Sequence, residues 1–151
     1  AALARLEPLV ERSNLEEVGV ARLLPLLAWA YLELGDDARA DQVALEGIER
    51  ARAQGHRLAL VELLRVRGMV LGRRGTWDEA ERAFEETVSI ARSVRYPYAE
   101  ARALYEWGLM HVNMPDPRKA RGRLEEAAEI FRGLGSHPYT DLAQKAMVAL
   151  G

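Results

Sequence analysis

One recurrence limits what this chain can fold into more than any other feature. Sliding the sequence by 40 residues carries Gly35, Asp36, Ala40 and Ala44 onto Gly75, Thr76, Ala80 and Phe84, and these onto Pro115, Asp116, Ala120 and Leu124. Upstream, Leu24, Leu64 and Leu104 coincide, as do Ala28, Gly68 and Gly108; downstream, Ala51, Ala91 and Phe131 precede Arg52, Arg92 and Arg132. A chain breaker, a helix-capping residue type and a small residue that hold register through three copies define one structural unit stacked on itself.

The unit reads as helix, tight turn, helix. In Gly75–Ala91, Thr76 is a capping residue with Glu79 placed to return the bond, and Ala80, Ala83, Phe84, Thr87, Val88 and Ala91 recur at helical spacing. The first helices (A) are expected at 17–34, 58–74 and 98–113, and the second (B) at 37–54, 77–94 and 117–133. Pro117 suits the first helical position, Gly55 and Gly133 or Gly135 are stops, and Pro25 is expected to kink its helix or delay its start. Residues 1–13 read as a leading half-repeat, 16–55, 56–95 and 96–135 as three full repeats, and 138–151 as a closing helix. The expectation is an all-α single domain of about eight antiparallel helices with a 40-residue period. Small residues at 28, 68 and 108 and at 40, 80 and 120 let paired helices approach, while Leu27, Leu71, Phe84 and Trp107 fill the space between units.

Composition narrows the function classes. Twenty-one basic residues against 23 acidic ones give a net charge of −2, which offers no footprint for nucleic acid. Cysteine is absent, so disulfides, thiolate metal sites and thiol nucleophiles are excluded. No apolar run reaches the ~18 residues of a membrane span, and no basic-then-apolar leader opens the chain, so a cytoplasmic location away from membranes is expected. The first residue is not methionine, and the chain is read as part of a longer protein.

A search for chemistry finds no active site. His56, His111 and His137 lack metal-ligand spacing, and His111 falls in a packing column with Tyr31 and Leu71. Glu16-Glu17, Glu85-Glu86 and Glu125-Glu126 are neighbours that do not face each other on a helix, and read as a solvated face. Gly133-Leu134-Gly135 has neither the lysine nor the preceding strand of a phosphate loop. No enzyme, no cofactor and no metal are expected.

The sequence of small residue, turn glycine, alanine and aromatic resembles the tetratricopeptide repeat. The family's small position falls on Ala28, Gly68 and Gly108, its helix-A aromatic on Tyr31, Leu71 and His111, and its helix-B alanine on Ala40, Ala80 and Ala120. The unit is longer than the family's ~34 residues, which makes HEAT-like pairs the alternative on period alone. Long-unit arrays of this kind resemble those of bacterial LuxR- and maltose-regulator-like transcription regulators and cyclase-linked ATPases. The resemblance implies a right-handed superhelix whose A helices line the concave side and bind a partner there. One residue per turn on that face gives Arg22, Trp29 and Glu33, then Glu62, Arg65, Met69 and Arg73, then Arg102, Tyr105, Leu109 and Asn113. Leu26, Val66 and Glu106 replace the asparagines of the family's carboxylate clamp, which argues against chaperone-tail binding. The expected function is a non-catalytic protein-interaction module of a signalling protein, taking a protein or peptide partner (an acidic segment among the candidates) or its own flanking domains. The alternatives are a small-effector sensor and a self-association module forming a homodimer.

Overall fold

The computed structural model describes residues 4–5, 18–114 and 116–151, with the side chains of 18–22 excepted. Seven helices follow residue 17 among the described residues: α1 (Val18–Glu33), α2 (Asp37–Gln54), α3 (Arg57–Arg73), α4 (Trp77–Ser93), α5 (Pro97–Asn113), α6 (Pro117–Gly133) and α7 (His137–Ala149). Strands are absent from the described residues. The expected leading helix falls on 1–13, of which residues 4 and 5 are helical and the rest lie outside the described residues. No described helix is long and apolar enough to cross a membrane.

Each helix packs on the next in chain order. The A helices also pack on each other, α1 on α3 and α3 on α5, whereas the B helices α2, α4 and α6 make no comparable contact. Long side chains bridge the B helices instead, Arg52 to Glu86 at 2.7 Å and Arg92 to Glu126. The acidic doublets therefore split, with Glu86 and Glu126 joining units while Glu85 and Glu125 face solvent. The A helices form the tighter, inner layer of a helical solenoid.

The turns explain the register. Gly35 and Gly75, which end A helices, and Gly55 and Gly135, which end B helices, all adopt left-handed backbone at φ 70–77°. Each closes its helix with the same pair of bonds: Gly75 N–H donates to the Gly72 carbonyl and Thr76 N–H to that of Leu71, and Gly55 and His56 repeat this on Arg52 and Ala51. Arg95 holds the corresponding place after α4, at φ 54°. A side chain there costs about 1–2 kcal/mol.

One expectation needs correcting. Thr76 stands at the N-cap of α4, but its hydroxyl makes no capping bond; Asp36 and Asp116 do, each accepting from the backbone three residues on at 3.2 Å. These caps have ψ near 70° (68° at Thr76, 71° at Asp36 and 75° at Asp116), which moves the waiting N–H beyond a hydroxyl one atom closer to the backbone than a carboxylate. Ser136 fails in the same way. Pro25 does not delay α1, which runs through it from Val18 to Glu33.

The small columns work as expected. A methyl group at Gly68 would lie 2.9 Å from the Phe84 ring, and one at Gly108 would lie 2.8 Å from Leu124. Phe84 is fully buried and stacks on Trp107 of the next unit at 6.2 Å. A second column is similar: Gly47 faces Leu63 across α2 and α3.

Candidate functional site

On the A-helix side lies a largely apolar cleft of about 870 Å³, lined by residues of all four described A helices. α1 supplies Pro25, Leu26 and Trp29; α3 supplies Leu58, Ala59, Glu62 and Arg65. The α4–α5 turn adds Val94, Arg95 and Tyr96, the body of α5 adds Tyr98 and Arg102, and α7 adds Tyr139. Leu26 and Leu58 are 55% and 59% exposed, so its lip is open and greasy.

Its floor is a charge network. Arg65 and Glu106 are both buried, with side chains 7% exposed; Nη1 of Arg65 donates to Oε1 and Oε2 of Glu106 at 2.8 and 2.9 Å. The other edge of the guanidinium donates to Glu62, from Nη2 at 2.9 Å and Nε at 3.3 Å. Burial alone would make Arg65 easier to deprotonate, but Glu106 and then Glu62 outweigh it and hold its pKa above the usual arginine value. Arg102 donates to the Tyr139 hydroxyl at 2.9 Å and to Glu106 at 3.3 Å. Both cations lie over aromatic faces, Arg65 at 5.1 Å from the Trp29 centroid and Arg102 at 4.9 Å from that of Tyr139.

The spacing of these partners follows from the stacking. Arg65 meets Glu106 at a sequence offset of 41, and Arg102 meets Tyr139 at 37, so lateral neighbours lie one period plus or minus a small step along the helix. Columns read at the bare period of 40 residues miss them.

Of the expected site residues, Trp29, Glu62, Arg65 and Arg102 line the cleft. Arg65 does so as a buried structural cation held by Glu106 and Glu62, and offers no free fork. Arg73 is turned away to the preceding unit, donating to the Leu32 carbonyl at 3.0 Å and to Asp37 at 3.2 Å. Met69 and Tyr105 are half-buried against the core, Leu109 is half-buried, and Asn113 is exposed at the end of α5; none of these four lines the cleft. The side chain of Arg22 lies outside the described residues. The sequence reading missed Tyr96, Tyr98, Tyr139 and Arg95, which cluster at helix starts and in a turn. Their one visible signal was two exposed-type aromatics, Tyr96 and Tyr98, astride Pro97.

His111 is the other buried titratable group. Its ring stacks on Trp107, and Nε2 lies 2.8 Å from Glu81 Oε1 but off the hydrogen-bonding angle. Burial lowers its pKa, with Glu81 opposing more weakly. Among the described residues, no group of three or more histidines or carboxylates is placed to hold a metal. The chain matches no protein-family model and none of the curated proteins.

Proposed function

We propose that this protein is a non-catalytic interaction module that takes an extended segment of a partner protein into the A-helix cleft. The observation that carries the reading is the cleft itself: an exposed leucine lip, an aromatic wall and a rigid polar floor drawn from every A helix. Apolar anchors flanked by fixed polar groups are what peptide-binding sites consist of. In this reading the helix pairs are tetratricopeptide-like, wind as a right-handed superhelix and belong to a cytoplasmic bacterial regulator. The glycine, alanine and aromatic register supports that placement.

Short random peptides displayed on a carrier and selected on the purified chain test the reading. Leu26→Ser with Leu58→Ser is the informative variant, because both side chains are surface residues. The parent should retain peptides that the double variant binds at least tenfold more weakly. Equal retention by both removes the cleft as the site. Reversing the charge of Arg65 would test the fold instead, since its side chain is buried in an ion pair. An effector pocket is the second reading, favoured by a volume inside the ~300–1,000 Å³ range of small-molecule sites. It predicts thermal stabilisation by a metabolite where no peptide is retained.

A further inference from the structure

Arg95 is the one non-glycine residue with positive φ among the described residues. The same bonds close its turn as close those at Gly55 and Gly135: Arg95 N–H donates to Arg92 at 3.2 Å and Tyr96 N–H to Ala91 at 2.8 Å. Glycine serves in both sister turns, so arginine is not needed to make the turn, and it strains it. Its side chain is exposed on the rim of the cleft and makes no ion pair or hydrogen bond among the described residues. A strained residue with no structural partner, at the mouth of a cavity, points to a ligand.

Charge identifies that ligand. Three guanidinium groups stand in or on the rim of the cleft, Arg65, Arg95 and Arg102, against two carboxylates, Glu62 and Glu106, which leaves one positive charge. Arg65 is consumed by its two glutamates, so the surplus sits with Arg95 and Arg102. A single surplus charge matches a carboxylate better than a doubly charged phosphate, and guanidinium matches carboxylate in shape. We infer that Arg95 is the specificity-determining residue of the cleft and that it reads an aspartate or glutamate side chain lying beside the apolar anchor of a bound peptide. The inference rests on the proposed peptide-binding function and adds the chemistry of the partner.

Peptides selected on the parent chain supply the probe. The strongest is synthesised with each acidic residue and, separately, with the matching amide, and both are titrated against the parent, Arg95→Gly and Arg95→Lys by fluorescence anisotropy. On the parent, the amide exchange at one acidic position should weaken binding roughly tenfold, the scale of one charge-assisted contact. On Arg95→Gly the same exchange should change affinity less than about twofold, with Arg95→Lys between. Arg95→Gly should melt at or above the parent temperature, because it relieves the turn; binding and stability then move in opposite directions, which damage to the fold cannot produce. Selected peptides with no acidic dependence, an equal amide effect on parent and variant, or a preference for the phosphorylated form overturn the assignment of Arg95 while leaving the cleft as a peptide site. Failure to retain any peptide overturns both.

Discussion

The contact between Gly68 and Phe84 offers a test in which one substitution changes sign with its partner. A methyl group at position 68 would stand 2.9 Å from two atoms of the Phe84 ring and 3.0 Å from a third. That is roughly half an ångström or more inside the ~3.5 Å contact distance between carbons. The ring cannot retreat: it is fully buried and held against Trp107. Overpacking of this kind costs about 1–3 kcal/mol, and alanine in place of a helical glycine returns about 0.8–1 kcal/mol, so Gly68→Ala should destabilise by up to about 2 kcal/mol. Phe84→Ala should cost about 3–5 kcal/mol through the cavity it leaves. With Phe84 already removed, Gly68→Ala meets no ring, keeps its helix preference and should stabilise by about 1 kcal/mol. The pair then reproduces Ala28 and Ala44, the residues at these positions in the first unit. Equilibrium denaturant titrations of the parent, the two single variants and the double variant close the cycle, with an expected coupling equal to the overpacking term, about 1–3 kcal/mol. Gly68→Ala costing the same in both backgrounds, within about 0.5 kcal/mol, would refute the claim that this column is set by paired sizes.

Two further measurements bear on the site and the core. Glu106→Ala leaves Arg65 buried without its main partner and should cost about 3–5 kcal/mol in chemical denaturation, whereas Glu62→Ala, at a side chain 28% exposed, should cost less than about 1 kcal/mol; similar small losses would mean the floor is not a buried ion pair. His111 has its pKa lowered by burial, so the unfolded chain binds a proton that the folded chain resists, and stability should be full above the unfolded value near ~6.5 and decline as pH falls through it. His111→Gln should flatten that part of the melting-temperature profile, and superimposable acid limbs would show that His111 contributes nothing to it.

The helix boundaries were legible because they are local. Backbone bonding within one turn, a glycine that ends a helix and apolar residues one turn apart are all properties of a short window, and α2 and α6 run over the expected residues, with α3, α4 and α5 within one residue at either end. Cap chemistry was half legible. Aspartate and threonine are both capping types, but at the shared cap angle near ψ 70°, which packing of the turn between two helices sets, only the longer aspartate side chain reaches the waiting N–H.

The candidate site was legible as a face and not as a set of partners. That the A helices carry it was implied by the family resemblance; that Arg65 is spent on Glu106 and Glu62 while Arg95 stands unpaired was not. What the sequence by itself determined is the 40-residue unit, its helices, and the small and large residues that must meet within a pair, since these depend on spacing along one chain. Which ionisable and aromatic side chains meet between units was decided by the tertiary structure. Lateral packing sets neighbours at offsets of 37 and 41, through the rotation and tilt of one helix against the next, and no column of the sequence records that angle.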